Sequence, residues 1–460
     1  MEINKKKENP IVFVIFGATG DLSKRYLLPA LFDLYLKNIF PDKFKIVGFS
    51  GRELSDENFR EIVKEVLKKH KLNKEKINKF LKNVFYKQGK FENANSYLNL
   101  GNFLMELDKS EQCSDKLFYL AVPPAFYDDI FENLANSGLS IPCGGDKGWT
   151  RILVEKPFGR DIKTARKLDK KLGLLFKETQ IFRIDHYMAK EAMQNILAFR
   201  FSNSLFEPVW NNKYVEKVEI KLFETLGMEG RGVFYDGIGA LRDMGQSHLL
   251  QMLAFVAMEN PKEFKANKIR NERIKVLKAL RHIKKNDIIK YAKRGQYENF
   301  KKEPHIAKDS KTETYFKIEV YVDNKRWKGV PFYIESGKKM PEKKTEIYIY
   351  FKKPVTCLCP IGKERHHQNI LSFRIEPNEG ISIQFWVKRP GFSIDLEPKN
   401  LSFLYKGSFK EELLNAYQKV LSDAILGDQT LFNSTEEIEA SWKFITPILK
   451  NWKKVKLSVY

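Results

Sequence analysis

Cysteine is scarce: Cys113, Cys143, Cys357 and Cys359 are the four in 460 residues. They are too few and too scattered for the disulfide framework of a small secreted domain. Cys357-x-Cys359 followed by His366-His367 is the one metal-like grouping, but the first spacing is tighter than in zinc sites, and no metal is expected. No run of about 18 apolar residues occurs, so no membrane-spanning helix is expected. Residues Met1 to Pro10, with Lys5-Lys6-Lys7, lead straight into a strand-like segment, with no apolar leader or small-residue cleavage site. A cytoplasmic protein with no membrane partner is the expectation. Internal repeats, low-complexity segments, Gly/Ser-rich tails and Arg-rich arms are also missing.

What is plentiful is lysine. Lys and Arg number 81 against 58 Asp and Glu, a formal charge of +23. Such a balance suits nucleic acid, acidic surfaces or anionic small substrates. The lysines are spread along the whole chain, and no zinc-finger, helix-turn-helix or RNP-like signature accompanies them. Nucleic acid is therefore not expected as a partner. With 43% hydrophobic and 30% charged residues, the composition is that of a globular protein, and the length suits two domains.

Ile11 to Phe16 is an unbroken apolar, β-rich run, the pattern of a strand buried on both faces of a parallel sheet. It ends in Gly17-Ala18-Thr19-Gly20-Asp21-Leu22-Ser23, and a helical pattern opens at once. Gly17 permits a tight turn, Gly20 lets the backbone approach a pyrophosphate, and Ser23 lets the helix pack close to the strand. Further strands are predicted at Lys45–Phe49, Lys116–Val122 and Arg151–Val154. Their ends carry Arg52, Pro123 and Lys156, all facing one cleft beyond the carboxyl ends of the sheet. Arg52 fits the 2′-phosphate of NADP; Glu53 keeps NAD open as the alternative. The fold class expected is α/β plus α+β. A Rossmann-like doubly wound parallel sheet would fill 1–182. A domain with a large, mainly antiparallel sheet and helices would fill 183–460. Strands with period-two alternation are predicted at Tyr315–Val322, Thr345–Lys352, Ile370–Ile375 and Gly380–Val387. Helical segments are predicted at Asn58–Lys82, Ala189–Arg200, Gly239–Met258 and Glu411–Lys450, and a Lys-rich connection at Pro261–Lys311.

Between the two halves, Arg183-Ile184-Asp185-His186-Tyr187-Met188-Ala189-Lys190-Glu191 puts a carboxylate, an imidazole, a phenol and an ammonium within a turn or two of each other. On composition alone it is either a salt-bridged loop or a site. Four other motifs accompany it. They are Gly17-x-x-Gly20-Asp21-Leu22-Ser23-Lys24, Glu155-Lys156-Pro157-Phe158-Gly159, Gly230-Arg231-Gly232-x-Phe234-Tyr235-Asp236 and Arg242-Asp243-Met244-x-Gln246-x-His248. Together they resemble the glucose-6-phosphate 1-dehydrogenase family, over nearly the whole chain from about Ile11.

The resemblance implies hydride transfer from C1 of β-D-glucose 6-phosphate to NADP or NAD, giving the 6-phosphogluconolactone that opens the oxidative pentose phosphate pathway. His248 would be the base, with Asp185 fixing its tautomer. His186, Tyr187 and Lys190 would hold the phosphate. Lys156 would lie between substrate and coenzyme, Lys338 would be a further substrate contact, and Glu224 and Asp243 would bond sugar hydroxyls. Gly17, Gly20, Asp21, Leu22, Arg52, Pro123 and Lys156 would bind coenzyme. A homodimer or homotetramer built through the second domain's sheet is implied too. Departures from the family pattern are Ala189 for a glycine, Gly51 where an Arg is usual, Gly245, Ser247, and Glu335 near Lys338, either repelling a phosphate or pairing with that lysine. Another NAD(P)-dependent sugar or sugar-phosphate dehydrogenase remains the alternative within enzymes, and a basic nucleic-acid-binding protein the alternative outside them.

Overall fold

The computed structural model describes residues 9–68, 74–109, 113–143, 148–230, 232–354 and 367–460. The chain divides into two compact units. The first holds the described residues up to Gly159, then Lys163–Ala189 and Leu414–Thr435; the second holds Arg160–Ile162, Lys190–Leu413 and Glu436–Tyr460. The first unit thus reaches past the expected boundary at 182 and takes back a stretch from late in the chain.

Six strands make the first sheet: β1 Ile11–Phe16, β2 Phe44–Ser50, β3 Val84–Gln88, β4 Asp115–Leu120, β5 Thr150–Val154 and β6 Ile181–Arg183. Their order is β3-β2-β1-β4-β5-β6 and every pair is parallel. All residues of β1 and β4 are buried, as expected for central strands covered on both faces. On one face Phe16 packs on Phe49 at 5.0 Å and Phe118 at 6.1 Å between ring centroids. The strand order reverses between β1 and β4, so the ligand crevice of such a sheet lies at their carboxyl ends. Strands β3 and β6 were not foreseen: each is short, and Val84–Gln88 ends in polar residues. Cys113 and Cys143 form a disulfide, the one staple among the described residues.

The second unit is built on nine strands: β7 Val215–Phe223, β8 Ala292–Gln296, β9 Tyr315–Tyr321, β10 Pro331–Gly337, β11 Lys344–Phe351, β12 Ile370–Glu376, β13 Gly380–Lys388, β14 Leu396–Leu404 and β15 Leu457–Val459. The order is β14-β13-β12-β11-β7-β10-β9-β8-β15, antiparallel except for β7/β10 and β8/β15. Period-two alternation appears in β9, where Phe316, Ile318 and Val320 are buried and the residues between them are not. The expected Lys-rich connection contains a helix, Ala266–Lys278, and β8. Its lysines mask a buried stripe of Ile269, Arg273, Ile274, Val276 and Leu277. The expected helical stretch 411–450 is two helices, Ala416–Leu426 and Thr435–Asn451, separated where Gly427 takes φ +78°. The candidate Cys357, Cys359 and His366 lie outside the described residues. The neighbouring His367 stacks on Trp386 at 4.1 Å.

Two arginines of helix Ala266–Lys278 face one carboxylate. Arg273 Nε donates to Glu437 at 2.7 Å with both side chains fully buried, and Arg270 lies 3.9 Å from the same group. Breaking such a pair leaves a charge with no compensation in a low-dielectric interior. Glu437→Gln is expected to lower unfolding stability by about 3–5 kcal/mol, read from urea midpoints, whereas exchanging the exposed pair Arg281–Asp323 for neutral residues changes it by at most about 1 kcal/mol.

Candidate active site

In the first unit the turn after β1 is fixed by crowding. Gly17 takes φ +78°, and a β-carbon there would lie 2.4 Å from the Ala121 carbonyl oxygen at the end of β4. Only glycine tolerates both the conformation and the contact. The Gly20 amide donates to the Gly17 carbonyl at 2.9 Å, and Ser23 Oγ donates to the same oxygen at 3.1 Å, drawing the helix start onto the strand end. Asp21 is exposed and paired with Arg25 at 2.7 Å, while Leu22 is half-buried just before a π-helical turn, Ser23–Leu27. The turn therefore presents backbone at a helix start, as phosphates require.

At the end of β2, Ser50, Thr19 and Tyr86 form a hydroxyl cluster: Ser50 Oγ is 2.8 Å from Tyr86 Oη and 3.3 Å from Thr19 Oγ1. Tyr86 Oη also donates to the Arg52 carbonyl at 2.5 Å, leaving the Arg52 side chain exposed. Pro123 is exposed at the end of β4 and starts a short helical turn.

Beyond β5 sits a titratable group that sequence reasoning left without a role. Glu155 accepts a hydrogen bond from Tyr119 at 2.6 Å, and Tyr127 donates to its carbonyl at 2.9 Å. Burial pushes the Glu155 carboxyl up to about 7, and the Asp185 charge adds to that, against the lowering effects of Tyr119 and Lys156. Lys156 follows it, half-buried. Its signal in the sequence was position alone, a carboxylate at the end of a buried strand.

The peptide 183–189 is no solvated loop. Arg183 is buried and donates to Asp169 at 2.7 Å, Glu178 at 2.9 Å and Thr435 at 2.9 Å. Asp185 is 2% exposed, and its carboxylate accepts from the Tyr187 amide at 3.1 Å. That bond is an Asx turn, which tightens the chain so that Ala189, buried at 1%, fits without needing glycine's freedom. The His186 ring stacks on Tyr417, 6.1 Å between centroids, and lies 4.9 Å from Tyr187. Tyr417 was not anticipated, because it comes from the returning helix Ala416–Leu426.

In the second unit the cations are held by carboxylates. Lys190 and Lys343 both pair with Glu376. Burial raises the Glu376 carboxyl, but the two lysines outweigh it and hold it below the ordinary glutamate value. Lys338 pairs with Glu224 at 2.6 Å, so these two predicted substrate residues meet. The pairing foreseen as one possibility for Glu335 does not form: Glu335 takes Lys317 at 3.3 Å and the Tyr315 hydroxyl at 2.7 Å. Glu335 lies within β10, whereas Lys338 follows its last residue, Gly337, and pairs with Glu224. Asp243 and His248 share the π-helical stretch Leu241–Leu249, where Asp243 is half-buried and His248 is fully buried. On an α-helix, at about 100° per residue, positions five apart diverge by about 140°. Hydrogen bonding from i to i+5 brings them nearly onto one face.

The model of the glucose-6-phosphate dehydrogenase NAD binding domain matches residues 14–195, and that of the C-terminal domain of glucose-6-phosphate dehydrogenase matches 197–460. The chain belongs to the glucose-6-phosphate dehydrogenase family. It is 42% identical to glucose-6-phosphate 1-dehydrogenase of Borreliella burgdorferi over 97% of this chain and 93% of that protein. It is 41% identical to that of Aggregatibacter actinomycetemcomitans, over 97% and 92%. Among solved structures, a glucose-6-phosphate dehydrogenase in complex with its substrate glucose 6-phosphate superposes with a TM-score of 0.89 at 35% identity, covering 98% of this chain and 94% of that one. Levoglucosan dehydrogenase, at 9% identity and a TM-score of 0.54, shares the fold alone. A dinucleotide-binding domain implies a nicotinamide cofactor for this family member, and the Gly17 turn fits its pyrophosphate. Among the described residues no helix is long and apolar enough to cross a membrane.

Glu155 gives this site a measurable pH signature. Its folded pKa of about 7 exceeds the ordinary glutamate value of 4.5, so between these limits the folded state binds more protons than the unfolded one and stability falls as pH rises. The loss, on the order of 3 kcal/mol, is complete above pH 7. Urea titrations from pH 4.5 to 8 are expected to show this component in the wild type and to lose it in Glu155→Gln.

Proposed function

We propose that the protein oxidises D-glucose 6-phosphate to 6-phospho-D-glucono-1,5-lactone with NADP as hydride acceptor, the first step of the oxidative pentose phosphate pathway. The observation that carries this is the likeness, over 98% of the chain, to a solved enzyme bound to that substrate. Bound coenzyme supplies the hydride acceptor. The chain's own residues must remove the C1 hydroxyl proton and hold the sugar phosphate. His248 is the base and takes that proton, with Asp185 as its partner carboxylate, fixing the tautomer and stabilising the imidazolium. Lys190, His186 and Tyr187 bind the phosphate dianion. Lys338 is a further substrate contact, and Glu224 and Asp243 accept from sugar hydroxyls. Lys156 lies between substrate and nicotinamide.

Gly17, Gly20, Asp21, Leu22 and Pro123 line the coenzyme turn. NADP preference over NAD rests on the exposed Arg52 guanidinium, which suits a 2′-phosphate, at the end of β2 where Tyr86 Oη holds the Arg52 carbonyl. The protein acts in the cytoplasm as a homodimer or homotetramer, joined through the second sheet. Its edge strand β14 supports this, with Leu401 64% exposed beside a groove of about 580 Å³.

His248→Asn is expected to lower kcat for glucose-6-phosphate-dependent NADP reduction by about 10²–10⁴ with KM little changed, followed by the absorbance of the reduced nicotinamide. Wild-type turnover in that variant removes the base assignment. Arg52→Gln is expected to raise KM for NADP about tenfold, the worth of one charge-assisted hydrogen bond, and to leave KM for NAD unchanged.

A further inference from the structure

Glu313 belongs to none of the motifs that mark the site, yet it is 2% exposed and sits where the helix of Asp243 and His248 begins. Its carboxylate accepts from the Leu241 amide at 3.1 Å, and its carbonyl from the Ala240 amide at 3.0 Å. These are two of the amides a helix start leaves without intrahelical acceptors. The preceding turn is shaped around this group: Gly239 takes φ +80°, and a β-carbon there would lie 2.4–2.6 Å from the Glu313 carboxylate atoms. Tyr235 Oη donates to the Glu313 carbonyl at 3.3 Å.

The residues on either side fasten the rest of the same region. Thr312 Oγ1 donates to Asp236 at 2.6 Å and accepts from the Gly237 amide at 2.8 Å, which fixes the turn leading into the helix. The Thr314 carbonyl accepts from the Lys338 amide at 3.0 Å. Tyr460 Oη lies 2.9 Å from Thr314 Oγ1 and donates to the Lys338 carbonyl at 2.7 Å. One short segment, 312–314, thus sets both the start of the helix carrying the base and the backbone of the lysine paired with Glu224.

We propose that Glu313 is a positioning residue for the dehydrogenase reaction: it sets the axial position of the π-helical segment and so the reach of Asp243 and His248 toward the sugar. This rests on the assignment of His248 as base. A cap that only stabilised the helix would be felt in melting temperature. A positioning group is felt in turnover, because a displacement of about 1 Å at the reacting atoms costs about 100-fold.

The test measures kcat, both KM values and the melting temperature of the full chain carrying Glu313→Ala, Glu313→Gln or Glu313→Asp. Glu313→Ala is expected to lose about 100-fold in kcat with KM for NADP unchanged, and Glu313→Gln, which keeps an oxygen acceptor of the same reach, to recover to within about tenfold of wild type. Glu313→Asp keeps the charge but withdraws the carboxylate by one methylene; it decides the matter if the alanine variant does not fold, and is expected to lose kcat while remaining folded. Folded Glu313→Ala or Glu313→Asp with wild-type kcat overturns the proposal, as does activity that falls only in step with the folded fraction. If the wild type itself does not reduce NADP with glucose 6-phosphate, the functional assignment has failed instead.

Discussion

The Ala121 carbonyl oxygen occupies the place a β-carbon on residue 17 would need, and the coenzyme half of the molecule is organised by that contact. Two central strands of a parallel sheet end side by side there, their order reverses between them, and the chain must leave β1 without a side chain in the way. The buried apolar run of β1 sets the strand, and the crowding sets the glycine. The tight turn then directs amides outward at the start of a helix.

The parts of the fold legible in the sequence were those whose burial leaves a period. Continuous apolar runs gave β1, β4 and β5; alternation gave β9, β11, β12 and β13. Helix Ala266–Lys278 stayed hidden because its outer faces are lysine-rich and two of its inward residues are arginines, which face Glu437 far along the chain. Strand β7 was missed for a similar reason: Lys217, Glu219 and Lys221 pair with one another along its face, so its charges look like a loop's until that pairing is seen.

The candidate site was legible where chemistry clusters locally, as in 183–191, and where a motif fixes a residue type. It was illegible where a partner comes from afar. Nothing near Lys190 points to Glu376, nothing near Lys338 points to Glu224, and nothing near His186 points to Tyr417. These partners change the electrostatics. Glu376 is shared by Lys190 and Lys343, and Glu224 pairs with Lys338, so an anion arriving at Lys190 or Lys338 would compete with a carboxylate already there.

The helix Ala416–Leu426 carries a consequence for the order of events in synthesis. It belongs to the first unit: Gln418 bonds Asp33 at 2.6 Å, Tyr417 stacks on Tyr26, and Arg151 donates to the Ala424 carbonyl at 2.6 Å. Yet some 225 residues of chain separate Ala189 from Leu414. At about 5–20 residues per second, the parallel sheet waits on the order of ten to forty-five seconds on the ribosome for the piece that covers Arg151 and Tyr26. During that interval the nascent coenzyme domain shows an unfinished flank, and a chaperone that shields it has a defined surface and a defined time in which to act.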